Sequence, residues 1–151
     1  MGLFCGETVQ SFFYTQSISS QSIITPGEHT ILTLDVTTTE LGERVKLDSM
    51  AVIQYLTNNA GTSFRVTGDY LLYRDDTLIS IVDIEKGESK TENIFHIGNI
   101  NTNLTWVDEP PTVGTHRYEI RIDTSNLINN LASLNVLTAH SLNAIVFGLS
   151  L

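Results

Sequence analysis

Charged residues are scarce in this chain, at 17% of 151 residues, against roughly 25% in ordinary soluble proteins. A surface with so few charges is typical of a protein that is partly covered by its neighbours. The charges that are present are unbalanced, with 17 acidic and 8 basic residues and a formal net charge of −9. Because this charge repels phosphate backbones, we expect no nucleic-acid partner.

Cysteine is nearly absent, since Cys5 is the only one. A single thiol forms no disulfide within its own chain, so it is either reduced or bonded to another chain. Cys5 lies close to the N-terminus, where it is a candidate for a covalent link between subunits, to a second Cys5 or to a different protein. The alternative is that Cys5 is a small buried apolar residue.

Signals for targeting, membrane insertion and catalysis are also missing. Residues 1–5 have no basic n-region, and no stretch reaches the ~20 apolar residues of a membrane span. The sequence contains no G-x-S-x-G elbow, P-loop or G-x-G-x-x-G motif. We therefore expect a protein without enzymatic activity or cofactor, made in the cytosol and not inserted into a membrane. Such a protein reaches a spore or virion surface through cell lysis.

The residues able to bind ligands have simpler structural explanations. The four histidines are far apart in sequence, and His116 has apolar neighbours on its predicted strand face, which favours a structural histidine over a metal ligand. Two acidic pairs, 75–76 and 108–109, are candidate calcium ligands, but adjacent acids of this kind are normally solvated turn formers. We predict no metal site.

Short segments with period-two alternation dominate the chain, and this pattern is typical of half-buried β-strands. Residues 115–123 place His116, Tyr118, Ile120 and Ile122 on one face. Residues 64–73 form a second strand, with a bend expected at Gly68, and a tight turn at 74–77 leads into a third at 78–85. Further strands are predicted at 8–14, 29–36, 44–56, 93–97, 104–107 and 142–149.

Only residues 124–134 depart from alternation. Their leucine and isoleucine residues have helical spacing, but the paired asparagines predict a short helical turn or a loop equally well. Eight or nine strands in a chain of this length predict an all-β fold, an antiparallel jelly-roll sandwich with an N-terminal arm.

Both ends of the chain are almost uncharged. No Asp, Glu, Lys or Arg occurs in residues 124–151, and Glu7 is the only one in residues 1–27. Chain termini are usually polar, so these ends are expected to pack against something. For the C-terminal end this is explained by core strands of the same domain.

We assign residues 1–21 to an arm or connector and residues 22–151 to the jelly roll. The arm is predicted to contact a neighbouring subunit by strand addition or by filling a groove. The alternative is that it folds back as the first strand of its own domain. The predicted interface residues are Leu3, Phe4, Cys5, Val9, Phe12, Phe13 and Tyr14.

Three segments of the second half of the chain resemble the late strands of bacterial and phage jelly rolls, a group similar in plan to complement-type and tumour-necrosis-factor-like heads. They are LTWVDEPP at 104–111, GTHRYEIR at 114–121 and SLNAIVFG at 141–148. Cys5 in a short arm also resembles subunits of bacterial endospore appendages, although the best-known connectors of that group carry several cysteines. The resemblance implies an oligomerising structural or binding module.

The expected function is that of a self-assembling subunit of an extracellular fibre or spore-surface appendage. Its main partner would be itself, and a surface anchor or tip protein would be a further one. The alternative function is a phage tail or fibre module that recognises a cell-surface glycan. In that case a platform of aromatic rings would stack on sugars, formed by Tyr55, Tyr70, Tyr73, Trp106 and Tyr118.

Overall fold

The computed structural model describes residues 10–126, 131–137 and 140–148, and the described chain contains strands without any helix. Most of the predicted strands are present with slightly different ends. The strands are β1 (Ser11–Ser17), β2 (Gln21–Ser22), β3 (Glu28–Thr38), β4 (Arg44–Thr57), β5 (Ser63–Arg74), β6 (Thr77–Ser89), β7 (Ile97–Asp108), β8 (Gly114–Asp123), β9 (Leu131–Val136) and β10 (His140–Phe147).

Two antiparallel sheets form a sandwich. Sheet A contains β1, β10, β4 and β7 in that order, and sheet B contains β3, β8, β5 and β6. The principal pairs are nested in sequence: β5 with β6, β4 with β7, β3 with β8, and β1 with β10. The chain is therefore a long hairpin rolled into two sheets, which is a jelly roll, and the predicted fold class is confirmed.

Two of the strand positions in sheet A are each shared by two shorter strands. β10 pairs with residues 44–50 of β4, and β9 pairs with residues 53–57 along the same side. Between them the Leu137 amide donates to the Val52 carbonyl oxygen over 2.8 Å. β1 pairs with β10 and β2 with β9, so β1 and β2 share the next position. Sheet A is thus four strand positions wide.

The N-terminal strand lies inside the segment predicted to be an arm. β1 pairs with β10 of its own chain, and Phe13 packs against the hydrophobic core. The sandwich therefore begins before the predicted boundary at residue 21, because residues 11–17 have a sheet partner within the chain. This is the fold-back alternative for those residues. The earlier residues Leu3, Phe4, Cys5 and Val9 lie outside the described residues.

Two local predictions are wrong. Residues 131–136 form β9 instead of the predicted helical turn or loop, because Leu134 and Val136 are buried against β4, while asparagine is a weak helix former. Residues 127–130 lie outside the described part. Residues 93–96 are not a strand, since Asn93 has a φ of 62°, and β7 begins only at Ile97.

The turn predicted at 74–77 is confirmed. Asp75 and Asp76 have φ angles of 48° and 61°, the left-handed values that a two-residue type I′ hairpin turn requires. This turn connects β5 to β6, which form the innermost hairpin of the roll. The first and last strands, β1 and β10, form its outermost pair.

Tyrosines fill the space between the sheets. Tyr55, Tyr70 and Tyr118 are the largest fully buried side chains. The Tyr70 hydroxyl, from sheet B, lies 2.8 Å from Oγ of Ser49 in sheet A, and Ser49 Oγ also donates to the Ser141 carbonyl. Burial raises the pKa of Tyr70 to about 12, so its hydroxyl stays protonated as a hydrogen-bonding group.

Candidate functional site

Charge is unevenly divided between the two sheets. The strands of sheet B contain thirteen charged residues, and those of sheet A contain four. In sheet A these are Arg44, Lys46 and Asp48 on β4 and Asp108 at the end of β7, while β1, β2, β9 and β10 have none. Lys46 and Asp48 neutralise one another, with Nζ and Oδ2 3.0 Å apart. Sheet A is therefore the nearly uncharged side of a chain with a net charge of −9.

Aromatic side chains are exposed on the outer face of sheet A. Phe12 is 61% and Tyr14 65% exposed, and their ring centroids lie 6.0 Å apart. The strand registers place Phe12, Ile145, Lys46 and Val107 side by side across β1, β10, β4 and β7. We call this set of four the Phe12 row. Its last member, Val107, is 49% exposed.

The two edges of sheet A lack the features that normally prevent strand addition. In the described part of the chain, β1 pairs only with β10 and β7 only with β4. β1 has no charge or proline, and β7 has no charge before Asp108. Natural edge strands are usually protected by charges, prolines or bulges. Among residues 10–126, 131–137 and 140–148, no strand pairs with the outer side of β1 or of β7, so both edges offer backbone groups to another strand.

The edges of sheet B are protected in this way. β6 carries Asp83, Glu85, Lys86 and Glu88, and β3 carries two acidic residues and a register shift. A second copy that approached through either edge of sheet B would bring many like charges together. Sheet A is the side suited to close contact with another polypeptide.

The structure separates the predicted interface residues that it describes. Phe12 and Tyr14 lie on the outer face of β1, whereas Phe13 points inward to the core. β7 was absent from the sequence-based interface, although the absence of charge from 93 to 107 was a visible signal. Ile145 was also missed, because its position beside Phe12 depends on the pairing of β1 with β10.

A buried ion pair joins the two sheets near one end of the sandwich. Arg74 Nη1, from β5, lies 2.7 Å and 2.8 Å from the two carboxylate oxygens of Asp108 at the end of β7. The Tyr118 hydroxyl donates to Asp108 Oδ2 over 2.7 Å. Burial and the neighbouring carboxylate raise the pKa of Tyr118. With both oxygens occupied, Asp108 is a structural acceptor.

His116 is the structural histidine that the sequence predicts. It is 5% exposed, and its Nδ1 lies 2.7 Å from Asp75 Oδ2 and its Nε2 2.8 Å from the Thr112 carbonyl oxygen. Both partners are acceptors, so both ring nitrogens carry a proton in this arrangement. Burial lowers the pKa of His116, but the hydrogen bonds to Asp75 and Thr112 outweigh it and raise the pKa above its ordinary value.

The acidic pairs are occupied by the protein's own donors. Asp75 also accepts the Arg117 amide, and Asp76 accepts Arg121 Nη2 over 2.6 Å. In residues 10–126, 131–137 and 140–148, no group of three or more His, Cys, Asp or Glu is arranged to hold a metal ion. The same ranges include no helix long and apolar enough to cross a membrane.

The predicted aromatic platform is wrong. Three of its tyrosines, Tyr55, Tyr70 and Tyr118, point into the core and are at most 2% exposed. Tyr73 lies on the outer face of sheet B beneath Arg121, whose Cζ is 4.1 Å from the ring centroid. Trp106 alone is substantially exposed, at 40%. The alternation of the strands places these rings on separate surfaces, so they share no sugar-stacking face.

Comparisons with known proteins give no family for this chain. No family model matches the sequence, and no curated protein matches it. The solved structure of infectious bursal disease virus strain Gx is similar with a TM-score of 0.37 and 10% identity, over 93% of this chain and 32% of the viral chain. A subviral particle of the VP2 protein of that virus gives 0.33 and 10%, over 95% and 33%.

A family 35 carbohydrate-binding module from an environmental isolate gives a TM-score of 0.24 at 16% identity, over 87% of this chain and 95% of the module. The chain spans about a third of the viral chains that it matches. Because every one of these TM-scores is below 0.5, the assignment of a jelly roll rests on the strand order of this chain.

Proposed function

We propose that this protein is a structural subunit that assembles with copies of itself through sheet A. The observation that carries the proposal is the combination of two unprotected, uncharged edges with exposed aromatic rings on the same sheet. More specifically, we propose that the assembly is an extracellular fibre or a spore-surface appendage.

Electrostatics favours contact through this sheet. Two chains with a net charge of −9 each repel one another when their charged surfaces approach. The thirteen charged residues on the strands of sheet B concentrate that repulsion on the opposite side of the molecule. Contact through sheet A joins the molecules along the side that carries the fewest charges.

Apolar burial and backbone pairing supply the stabilisation. Fully covering a ring such as Phe12 contributes about 1.5 to 3 kcal/mol, and each net hydrogen bond about 0.5 to 1.5 kcal/mol. Association costs at least about 4 kcal/mol in lost translation and rotation. One ring is not enough to offset this cost, whereas an edge of seven residues carrying two exposed rings is.

Residues 1–9 extend the proposal beyond the described chain. We propose that Leu3, Phe4 and Val9 contact the neighbouring subunit and that Cys5 forms the intersubunit link. The resemblance to appendage connectors supports this role. Non-reducing electrophoresis of assembled protein is expected to show a dimer band that disappears in Cys5→Ser. If the wild type shows a band at monomer mass only, the proposed covalent link is refuted, whereas the proposed contact through sheet A is not.

The assembly is tested with a charge-matched pair of variants. Phe12→Lys/Tyr14→Lys places two positive charges on the outer face of β1, and Leu78→Lys/Ile81→Lys places two on β6 at residues that are 41% and 53% exposed. Light scattering and negative-stain microscopy are expected to show assemblies for the wild type and the β6 variant and monomers for the β1 variant. A wild-type protein that stays monomeric when concentrated would contradict the proposal.

The alternative function, a glycan-recognising phage fibre module, gives a different result in the same preparation. It predicts a closed oligomer and binding on a glycan array. The stacked pair of Phe12 and Tyr14 is the exposed aromatic surface that favours it. Open-ended filaments without sugar binding would exclude this alternative.

A further inference from the structure

We propose that assembly is head-to-tail: the β7 edge of one copy pairs with the β1 edge of the next, and sheet A continues from copy to copy. This inference rests on the proposed function and deepens it by naming the two surfaces that meet. The partner is a second copy of this chain, and the contact is a backbone ladder between two different edges.

Strand direction permits this pairing without rotating the second copy. β1, β10, β4 and β7 are successively antiparallel, so β1 and β7 run in opposite directions within one molecule. A copy displaced sideways along the sheet therefore brings its β1 antiparallel to the β7 of its neighbour. The new ladder continues the antiparallel pattern of the sheet.

Both edges need a partner, and head-to-tail pairing supplies one to each. Pairing β1 with β1 about a two-fold axis would leave the twelve-residue β7 edge unprotected, and pairing β7 with β7 would leave β1 unprotected. A heterologous contact covers one edge of each kind at every junction. Such contacts build rings or open fibres, depending on whether the rotation between copies closes.

The Phe12 row indicates the register. It starts at Phe12 on one edge and ends at Val107 on the other. The next row in the same direction joins Tyr14 to Thr105. In an unstaggered continuation, Val107 lies beside Phe12 of the next copy and Thr105 beside its Tyr14. Aromatic and β-branched side chains are favourable cross-strand neighbours.

The two edges are also matched in length. A row near the other end of the sheet joins Gln21 on β2 to Ile100 on β7, through Val136 and Ile53. The edge formed by β1 and β2 therefore extends from the row of Asp108 to the row of Asn99, which is all of β7 except its first two residues. Four strand positions at about 4.8 Å each place the centres of successive copies about 19 Å apart along the sheet.

Two edge-blocked variants test the inference by complementation. One is Phe12→Lys/Tyr14→Lys, which blocks β1. The other is Asn101→Lys/Asn103→Lys, which blocks β7 at two exposed positions on the outer face. Each variant keeps the other edge intact, and the two altered edges repel one another. A β-sheet circular dichroism spectrum and a cooperative thermal melt establish that each variant is folded, and neither melt has to match that of the wild type, because assembly itself raises the melting temperature.

Head-to-tail pairing predicts that each variant alone is monomeric and that an equimolar mixture forms a 1:1 heterodimer, measured by light scattering and native mass spectrometry. The heterodimer does not grow, because its two outer edges are both blocked. Homodimers of the β7-blocked variant would show β1–β1 pairing and overturn the inference. A monomeric mixture beside an assembling wild type would also overturn it, while the proposed function would stand. A monomeric wild type would instead remove the proposed function itself.

Discussion

Gly68 in β5 lies so close to the end of β8 that a Cβ added to it would sit 2.6 Å from the carbonyl oxygen of Asp123. The obstacle is backbone and cannot rotate away. We expect Gly68→Ala to lower the free energy of unfolding by about 1 to 3 kcal/mol, the usual cost of overpacking. Urea denaturation measures this change.

Gly87→Ala is the matched control, because a Cβ at Gly87 in β6 would be no closer than 3.4 Å to any atom. We expect this variant to stay within about 0.5 kcal/mol of the wild type. Equal losses at the two glycines would show that general strand propensity, and not the contact with Asp123, determines the effect.

The His116–Asp75 pair predicts a pH-dependent contribution to stability. Because the pKa of His116 is higher in the folded protein than its ordinary value of 6.5, its contribution is complete below that value and is lost as the pH rises through the folded pKa. We expect His116→Gln to cost about 2 kcal/mol at pH 6. The difference in melting temperature between the variant and the wild type should shrink between pH 6 and 9.

Asp75 gives the same pair a second pH dependence of stability, at acidic pH. Burial raises the pKa of Asp75, but the hydrogen bonds from His116 and the Arg117 amide lower it below 3.8 overall. Its contribution is therefore lost only as the pH falls through that lower value. A difference between wild type and His116→Gln that stays constant from pH 6 to 9 would contradict the charged pair.

The ion pair between Arg74 and Asp108 predicts a non-additive mutational cycle. Asp108→Ala leaves a guanidinium whose side chain is only 17% exposed without its carboxylate, and we expect a loss of about 3 to 5 kcal/mol. The double variant Arg74→Met/Asp108→Leu removes both charges and should be more stable than Asp108→Ala. Denaturant titration of Arg74→Met, Asp108→Leu and the double variant measures the coupling, and additive losses would refute it.

Three carboxylates lie in one row across sheet B. Asp69 is directly opposite Asp83 on one side and Asp123 on the other. Burial, followed by the charges of Asp83 and Asp123, raises the pKa of Asp69 above 3.8. A carboxyl with a raised folded pKa destabilises the ionised protein, and the penalty disappears as the pH falls through that pKa. We expect Asp69→Asn to stabilise the protein slightly at pH 7, by about 0.2 to 1 kcal/mol.

Asp35→Asn provides the contrast, since Asp35 accepts a hydrogen bond from Arg117 Nε over 3.2 Å. Removing that exposed charge should leave stability unchanged or slightly reduced. Thermal melts at pH 7 and pH 3 separate the two variants. A gain for Asp69→Asn that persists at pH 3 would rule out charge repulsion as its cause.

Strand positions were predictable where alternation is local and strongly apolar. In β8 the buried residues are His116, Tyr118, Ile120 and Ile122, and the residues between them are charged, so the pattern is unambiguous. In β7 the outward positions 99, 101 and 103 are asparagines, which resemble loop residues when taken alone. They are tolerated in the strand because β7 pairs along almost its whole length with β4.

The candidate site depended on information that local patterns do not contain. Phe12 and Tyr14 were identified as an uncharged aromatic segment, but the inward direction of Phe13 follows from the register of β1 on β10. The tyrosines of the predicted platform were misplaced for the same reason. Alternation predicts which side chains share a face and leaves open which face is covered by the second sheet.

The nested order of the strands has a consequence for biosynthesis. β1 leaves the ribosome before every other strand of the described chain, yet its only sheet partner there is β10, which begins at His140. Because translation proceeds at about 5 to 20 residues per second, at least several seconds pass between the synthesis of β1 and that of its sheet partner. During that interval its aromatic rings are available to chaperones or to neighbouring polysomal chains. Synthesis of β10 thus sets the earliest time at which the roll can close.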